Sequence, residues 1–469
     1  MNNSYTPTIG IEVHLELKTK SKIFSNTKNS YENAANINVN EVDLGYPGTL
    51  PTLNKEVVNL ALLAALGLNC KINKTMHFDR KNYFYPDLPK GYQITQNRTP
   101  IGYDGYVNIG DKKIEIERIH IEEDTAKSLH NDGVTLLNYN RAGVPLVEIV
   151  TKPVIKSSRD AMLYLEKLRE LMLYLEVSDC KIEEGSMRAD VNVSVSKTDK
   201  FGTKCEVKNI GSISNVGLAI DSEIKRQIEI LERGETVEEE TRRFDSKTLT
   251  TVTMRKKEIG NEYRYLPEPD IPYLYLSDED IEKTKEKLVL LPEERRKIYS
   301  DRGILDINID KLINNKSLSD YLNNFIDTSI NFKIASNLLL GEISSYLNKN
   351  KISINDTKLT YNKFISLVEK LDKKEINNNI FKQIYVDLLE SDKEVDEIIK
   401  EKNISLNDNI NLEEIIKKVI SDNEKSVQDY KNGKENAFKF LMGMVMKETR
   451  GSANPKDVNE MLNTLLKNM

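Results

Sequence analysis

Apolar and polar residues alternate strictly near the start of the chain. From Ile9 to Leu17 every second residue is aliphatic, and Glu12, His14 and Glu16 lie between them. A period of two is typical of a β-strand, whose successive side chains point to opposite faces. The pattern therefore predicts a strand with one aliphatic face. Its other face carries one of the chain's 4 histidines between two carboxylates.

Helix-period and strand-period segments follow one another up to residue 292. Three segments have helical spacing: residues 54–69, with Asn54 as N-cap and Gly67 near the end, 157–177 and 214–235. Three others have strand character: residues 112–124, 144–150 and 190–196. We therefore predict an α+β domain over residues 1–292. The later sequence is polar and helical, and a polar break predicts a helical domain over 293–405 and a small helical tail over 406–469.

Composition narrows the class of protein. The 469 residues contain 39% hydrophobic residues, no Trp and no apolar run long enough for a membrane span. Cys70, Cys180 and Cys205 are widely spaced and form no zinc pattern, which is typical of a reducing compartment. The N-terminus has no signal-peptide pattern, so we expect a soluble cytoplasmic protein. A net charge of -6 argues against a general polyanion-binding surface, so nucleic-acid contacts require local patches.

Several predicted strands carry an acid in an apolar context. His120, Glu122 and Asp124 alternate onto one face and Glu123 onto the other, while Glu148 interrupts a run of aliphatic residues. The next acidic strand carries Arg188, Asp190 and Asn192 on one face. A buried carboxylate is costly unless it is paired. A divalent cation bound by several of these acids would offset the cost of burying them all. Alternatively, single acids could each pair with Arg118, Arg141 or Arg188.

A second constellation mixes cations with aromatic side chains. Residues 77–98 contain Arg80, Lys81, Lys90 and Arg98 interleaved with Tyr83, Phe84, Tyr85 and Tyr92. Such a mixture is typical of a site that binds phosphates and stacked bases. It is equally consistent with a strand and a turn whose lysines are solvated. Arg242 and Arg243 have the same two interpretations. The chain contains no P-loop, no dinucleotide-binding glycine motif, no serine-hydrolase elbow and no cysteine-nucleophile signature.

The order of motifs resembles one family, GatB, which is the B subunit of aspartyl/glutamyl-tRNA amidotransferases. The resemblance covers the whole chain and is weaker in its centre. It rests on the segments IGIEVHLELKTKSKIFS, VDLGYPGTLPTLN, HFDRKNYFYPDLPKGYQI, HIEED, NRAGVPLVEIV, EEGSMRADVNVSV, GTKCEVKNIGS, ETRRFD, YRYLPEPDIP and GSANPKDVNEMLNTLL. It implies a glutamine-synthetase-like catalytic cradle, then an all-helical domain and a small helical tail that contacts tRNA.

The resemblance also implies a reaction. ATP phosphorylates the side-chain carboxylate of glutamate or aspartate misattached to tRNA(Gln) or tRNA(Asn), and ammonia from an amidase displaces the phosphate. The implied partners are the amidase, which is the A subunit, and a small C subunit, in a heterotrimer. The implied cofactors are ATP and Mg²⁺, or Mn²⁺ in its place.

Site residues follow from the same resemblance together with the charge pattern. The resemblance implies that the metal ligands are His14, Glu123 and Glu148. The residues predicted to take part in catalysis or in the ammonia route are Glu12, Lys81, Lys90 and Asp190. Those predicted to bind ATP or substrate are Arg80, Tyr83, Arg188 and Arg242.

Two other functions remain open from the sequence. One is a noncatalytic tRNA-binding scaffold whose acids are structural, and the other is a freestanding metal-dependent carboxylate ligase. Metal-dependent ATP turnover that requires misacylated tRNA distinguishes the first from an amidotransferase. A freestanding ligase would not need the C-terminal helical segments.

Overall fold

The computed structural model describes residues 5–30, 34–256, 263–404, 412–449, 453 and 455–467. The chain divides into two compact units, Met1–Leu291 and Pro292–Met469. The first unit is mixed α and β and the described part of the second is helical, which confirms the predicted α+β region followed by helices. The boundary predicted between residues 405 and 406 lies outside the described residues. No described helix has the length and apolar character that crossing a membrane requires.

The first unit contains the strands and the longest helix of the described chain. Its strands are β1 (Thr6–Glu16), β2 (Lys71–Ile72), β3 (Thr75–Met76), β4 (Asp79–Asn82), β5 (Tyr92–Thr95), β6 (Gly102–Ile109), β7 (Lys112–Glu123), β8 (Lys127–Asn131), β9 (Val134–Asn138), β10 (Pro145–Thr151), β11 (Met187–Ser196), β12 (Cys205–Lys208), β13 (Glu240–Asp245), β14 (Thr250–Lys256), β15 (Leu266–Pro267) and β16 (Leu274–Tyr275). Its helices are α1 (Lys55–Gly67), α2 (Ser158–Tyr174), α3 (Ile213–Glu232) and α4 (Asp278–Lys285).

One large sheet organises this unit. Among the described residues its strand order is β14-β13-β12-β11-β1-β10-β7-β6-β2, and neighbours are antiparallel except for β12 and β13. The first strand of the chain thus lies in the middle of the sheet, between β10 and β11. Small sheets, β15-β4-β5 and β16-β3, and the hairpin β8-β9 complete the unit.

The two faces of β1 have opposite characters, as its alternation predicts. Ile9, Ile11, Val13 and Leu15 are fully buried in the core that the sheet forms with α1, α2 and α3. Burial of each such side chain stabilises the fold by about 1.5–3 kcal/mol. The other face directs the polar side chains, His14 among them, away from that core.

Local signals set the helix starts. The Asn54 side chain accepts a hydrogen bond from the Glu56 backbone N–H, so α1 begins where the sequence predicts. Ser157 and Ser212 cap α2 and α3 in the same way, and each accepts from the backbone N–H three residues later. The helices that cover the core face of the sheet therefore start at positions fixed by side-chain caps.

The second unit is built from helices and short helical turns. Its α-helices are α5 (Pro292–Asp301), α6 (Asp306–Ile313), α7 (Lys316–Asn323), α8 (Phe332–Leu338), α9 (Ser344–Asn350), α10 (Tyr361–Asp372), α11 (Asn378–Glu390), α12 (Val395–Glu401), α13 (Leu412–Asp422), α14 (Glu424–Lys431), α15 (Glu435–Glu448) and α16 (Pro455–Lys467). A π-helical segment, Leu339–Ile343, joins α8 to α9. The last four helices share a hydrophobic cluster that includes Ile416, Leu441 and Leu462.

Candidate metal and phosphoryl-transfer site

Strand register places a histidine–carboxylate cluster on the polar face of the large sheet. His14 of β1 is directly opposite Glu148 of β10, and Glu148 is directly opposite His120 of β7. Glu122, two residues beyond His120, points to the same face. The cluster of His14, His120, Glu122 and Glu148 therefore comes from three neighbouring strands.

Distances within the cluster are short enough for shared protons or a shared cation. His14 Nε2 lies 3.4 Å from Glu122 Oε1 and 3.5 Å from Glu148 Oε2. His120 Nε2 lies 3.3 Å from Glu148 Oε2 and 3.7 Å from Glu122 Oε2. His14, Glu122 and Glu148 each offer a ligand atom within 4.8 Å of the other two. We call these three residues the metal-ligand group.

Burial and charge together perturb the pKa values of this cluster. Burial opposes protonation of His120, but Glu148 and Glu122 outweigh it and raise the pKa of His120 to about 9. Burial likewise opposes protonation of His14, and the same two carboxylates raise its pKa. Burial would raise the pKa of Glu148, but His120 and His14 hold it well below its usual value. The carboxylates thus favour a positive charge at their centre.

Glu12 is another buried carboxylate whose ionised form requires a nearby positive charge. Burial raises the pKa of the Glu12 carboxyl, and the negative charges of Glu148 and Glu206 raise it further. The charge of Lys208 lowers this pKa, as does the hydrogen bond that Asn192 Nδ2 donates to Glu12 Oε1 at 2.9 Å, but neither cancels the increase. A histidine and two carboxylates close together, with a third carboxylate nearby, fit a divalent cation. Carboxylate ligands suit Mg²⁺ or Mn²⁺, and a histidine ligand favours Mn²⁺ over Mg²⁺.

Two cavities lie beside the metal-ligand group. The first, of about 280 Å³, is lined by four cationic side chains, Lys81, Arg118, Lys208 and Arg255, and by Tyr263 and Tyr265 as well as Glu12 and the cluster. Burial opposes the charge of Lys81, but Glu122 and Tyr265 raise its pKa, so it remains an ammonium. Cations around a metal-ligand group provide a setting for phosphate groups.

The second cavity, of about 560 Å³, is lined by Tyr83, Arg188 and Asp190 among other residues. Arg188 donates to Asp124 Oδ2 at 2.7 Å, and Arg141 lies 2.6 Å from the same oxygen. The predicted residues Lys81, Tyr83, Arg188 and Asp190 therefore lie at one of the two cavities or at both. Glu12 and Glu148 line the first cavity, and His14 lines both.

The structure places Glu123, a predicted metal ligand, outside this arrangement. Glu123 follows Glu122 on β7 and therefore faces the other side of the sheet. Lys90 Nζ lies 2.6 Å from both carboxylate oxygens of Glu123, and the Ile94 backbone N–H donates to Oε1. Both residues line a separate cavity of about 110 Å³. Glu122 occupies the position in the metal-ligand group that the resemblance assigned to Glu123.

Arg80 and Arg242 also lie away from both cavities. Arg80 forms a bidentate pair with Glu268 and contacts Asp270, and its guanidinium lies 4.3 Å from the ring centre of Tyr92. This contact holds the segment around Glu268 against β4. Arg242 is buried against α3, in a network described below. The structure thus pairs both predicted nucleotide-binding residues with carboxylates and places neither at the two cavities.

Sequence reasoning also missed Lys208 and the participation of His120. Lys208 lies at the end of β12, where Lys208 Nζ is 2.7 Å from Asp190 Oδ2 and 2.9 Å from Glu206 Oε1. Alternation of Glu206 and Lys208 within the motif GTKCEVKNIGS was the available signal. His120 was on the correct face of the predicted strand, but nothing in the sequence paired that strand with β10.

Comparison with known proteins identifies the family. A family model described as the GatB/GatE catalytic domain matches residues 7–282, which is more than half of the chain. The chain belongs to the GatB family. A second model, described as the GatB domain, matches residues 320–466. The resemblance predicted from the sequence is thus confirmed.

Individual relatives match over nearly their whole length. The chain is 43% identical to the B subunit of the aspartyl/glutamyl-tRNA(Asn/Gln) amidotransferase of Bacillus licheniformis, with 98% of each chain covered. It is 44% identical to the protein of the same name from Geobacillus thermodenitrificans, again over 98% of each chain. Identity to the Ligilactobacillus salivarius protein of that name is 42% over 99% of each chain. Similarity therefore extends through both compact units of this GatB-family chain.

Proposed function

We propose that the chain is the B subunit of a glutamine-dependent tRNA amidotransferase, a ligase that forms carbon–nitrogen bonds. Its proposed substrate is glutamate or aspartate misattached to tRNA(Gln) or tRNA(Asn). The side-chain carboxylate is phosphorylated by ATP, and ammonia then displaces the phosphate to give the amide. The names of the relatives and the two family matches support this role.

The metal-ligand group is the observation that carries the proposal. Residues His14, Glu122 and Glu148 lie between two cavities whose walls hold several cationic side chains. A bound Mg²⁺ or Mn²⁺ would neutralise negative charge on the phosphates and on the carboxylate that accepts the phosphoryl group. Lys81 and Arg118 would bind phosphate oxygens, and Arg188 would orient the acceptor end of the substrate in the second cavity. Asp190 would hold Lys208 in place.

The cysteines support the assignment of glutamine hydrolysis to a partner. Cys70, Cys180 and Cys205 are all buried, and burial raises their pKa values to about 12, 11 and 12. A nucleophilic cysteine needs an accessible thiolate, which these environments disfavour. We therefore propose that the amidase, as the A subunit, releases the ammonia and that a small C subunit completes the heterotrimer.

The pair of Lys90 and Glu123 fits the proposed ammonia route. Glu122 and Glu123 are adjacent on β7 and face opposite sides, so the end of this strand separates the metal-ligand group from the smaller cavity. Ammonia that enters the smaller cavity would meet Lys90 and Glu123 before it reached the acyl phosphate. Lys81, on the other side, lines the receiving cavities.

The domain assignment follows the same proposal. We assign residues 1–292 to a catalytic cradle of the glutamine-synthetase type, in which an antiparallel sheet presents carboxylates to the reacting phosphate. Residues 293–405 form a helical domain. Residues 406–469 form a tail that contacts tRNA, supported by the separate hydrophobic cluster of the last four helices.

ATP hydrolysis by the assembled heterotrimer tests the function. Turnover in the presence of misacylated tRNA should exceed turnover with the same tRNA uncharged, and amide formation should accompany it. A comparison of Glu-tRNA(Gln) with Asp-tRNA(Asn) identifies the preferred substrate. Binding of tRNA without ATP turnover would favour a noncatalytic tRNA-binding scaffold. Amidation of a free amino acid without tRNA would favour a freestanding ligase.

A further inference from the structure

Four side chains form a wall common to the two cavities beside the metal-ligand group. Within the described part of the chain, these are His14, Lys81, Glu122 and Lys208. Two of them belong to the metal-ligand group and the other two are ammonium groups. A phosphoryl group that moves from a nucleotide in one cavity to a carboxylate in the other must cross this wall. Side chains of the wall are therefore the ones that meet the transferring group.

Lys208 is held in the wall by two carboxylates from separate strands. Its Nζ lies 2.7 Å from Asp190 Oδ2 on β11 and 2.9 Å from Glu206 Oε1 on β12. Burial opposes its charge, but Asp190 and Glu206 outweigh burial and raise the pKa of Lys208 well above its usual value. The side chain is 33% exposed, so it is fixed and charged and still accessible from the cavities.

The hydrogen-bond capacity of Lys208 exceeds what its partners use. A lysine ammonium has three N–H donors, and the carboxylates of Asp190 and Glu206 account for two. Within the described part of the chain, this leaves a third N–H for a group bound in the cavities that Lys208 lines. Lys81 differs, because its Nζ lies over the ring of Tyr263, 4.7 Å from the ring centre, and the charge of Glu122 raises its pKa.

We propose that Lys208 is a catalytic residue that donates a hydrogen bond to the phosphoryl group during its transfer. The proposal rests on the proposed function. In the step, a carboxylate oxygen of the misattached amino acid attacks the γ-phosphorus. The bond from that phosphorus to the oxygen bridging to the β-phosphate breaks, and ADP leaves with its electron pair. No proton moves. Lys208 stabilises negative charge on the phosphoryl oxygens, an interaction that strengthens in the transition state.

The test compares K208Q with K112Q in the assembled heterotrimer. Lys112 is a matched control, since it also lies on the large sheet and pairs with a carboxylate, Asp160, at 2.8 Å, but it lines neither cavity. K208Q should lower kcat for ATP hydrolysis with misacylated tRNA by about 100- to 1000-fold, the loss typical of one transition-state donor. The KM values for ATP and tRNA should change by less than about threefold. K112Q should match the wild type.

A binding measurement separates a catalytic role from a structural one. Wild-type complex with Mg²⁺ and misacylated tRNA should bind ADP more tightly when aluminium fluoride supplies a mimic of the transferring phosphoryl group. K208Q should keep the affinity for ADP and lose the gain from aluminium fluoride. A kcat within threefold of the wild type would overturn the proposal, and so would a loss of ADP affinity as large as the loss of kcat.

Chemical rescue adds a readout that misfolding cannot imitate. In K208C, alkylation with bromoethylamine creates a lysine analogue at this position, and the three native cysteines are buried. Recovery of kcat after alkylation supports the proposal, and a folded, alkylated K208C that stays inactive opposes it. K208Q leaves the carboxylates of Asp190 and Glu206 without their lysine partner. If K208Q fails to fold for that reason, the double variant E206Q/K208Q removes one of the two unpaired charges. Full activity of the double variant would overturn the proposal.

The design distinguishes this inference from the proposed function. A wild-type complex without tRNA-dependent ATP hydrolysis contradicts the proposed function itself. A wild-type complex with that activity, together with an unaffected K208Q, contradicts only the role of Lys208.

Discussion

Two buried charge clusters lie on opposite faces of the same sheet. On the helix-covered face, Glu223 of α3 contacts Arg226 at 2.7 Å and Arg242 at 3.3 Å, and both guanidiniums also contact Glu240. Thr251 donates to Glu223 at 2.8 Å and accepts from Arg242 at 2.9 Å. This network has two carboxylates and two guanidiniums, so its charges cancel. We call it the Arg242 network.

The cluster on the polar face does not balance in this way. Among the described residues, Glu122 and Glu148 form ion pairs with His14 and His120, whose positive charge depends on bound protons, while Lys81 and Lys208 line the same cavity. Carboxylates paired with histidines can exchange the histidine protons for a metal ion, whereas those paired with guanidiniums keep a permanent counter-charge. Both clusters consist of buried acids beside positive charges. The identity of the positive partner, histidine or guanidinium, distinguishes a binding site from a structural network.

The largest expected difference concerns activity. E122Q and E148Q should each reduce tRNA-dependent ATP hydrolysis by about a thousandfold, because loss of metal stabilisation of phosphoryl transfer removes several kcal/mol. E123Q should retain ATP hydrolysis, since Glu123 lies on the other face with Lys90. Steady-state rates at saturating Mg²⁺ provide the measurement, with circular dichroism as the folding control. A loss in E123Q and none in E122Q would restore Glu123 as the ligand.

A change in the Arg242 network should affect stability instead. R242M leaves Glu223 and Glu240 buried with one cation fewer, and such a loss typically costs about 3 kcal/mol or more. Urea unfolding should show this destabilisation, while kcat per folded molecule stays near the wild-type value. A folded R242M with lost ATP affinity would instead indicate that Arg242 binds nucleotide, as the sequence suggested.

Added metal should stabilise the folded protein through the polar-face cluster and not through the Arg242 network. Mg²⁺ at a hundred times its dissociation constant should raise the free energy of unfolding of the wild type by about 2.7 kcal/mol. The same addition should stabilise R242M equally and E148Q far less, because only E148Q lacks a ligand. Thermal unfolding with and without a chelator measures the three shifts. Equal stabilisation of E148Q and the wild type would place the ion elsewhere.

Acid titration should give the smallest difference. Burial would raise the pKa of Glu223, but bonds from Arg226, Gln227 and Thr251 outweigh it and hold the folded pKa below its ordinary value. The resulting stabilisation is complete above the ordinary value, near pH 4.5, and is lost as the pH falls through the lowered folded value. The difference in unfolding free energy between the wild type and E223Q should therefore narrow as the pH falls below about 5. A difference independent of pH would mean that Glu223 does not titrate with folding.

The sequence predicted local features well because local rules decide them. Alternation in β1 placed Glu12 and His14 on one face, and Asn54 marked the start of α1, as the structure confirms. Alternation also placed His120 and Glu122 together on one face. The family resemblance nevertheless selected Glu123 as a ligand, and a shift of one residue on a strand moves a side chain to the opposite face.

Tertiary pairing decides where Arg80 and Arg242 lie. Glu268, the partner of Arg80, is 188 residues away, and Arg242 meets Glu223 of the preceding helix as well as Glu240 of its own strand. No local pattern predicts which acid a buried arginine will meet. Whether Arg242 binds phosphate or a structural carboxylate therefore depended on tertiary packing, and the same holds for the placement of Lys208 between two cavities.

The central position of β1 has a consequence for biosynthesis. The strand is made first, yet its neighbours β10 and β11 are made much later, and the contact between Glu12 and Asn192 spans 180 residues. Pairings of such sequence separation form slowly, and an unpaired strand edge is prone to association with other chains. A nascent chain that stops before residue 196 leaves β1 with an exposed edge. Assembly of the metal-ligand group must therefore wait until β10 has emerged from the ribosome.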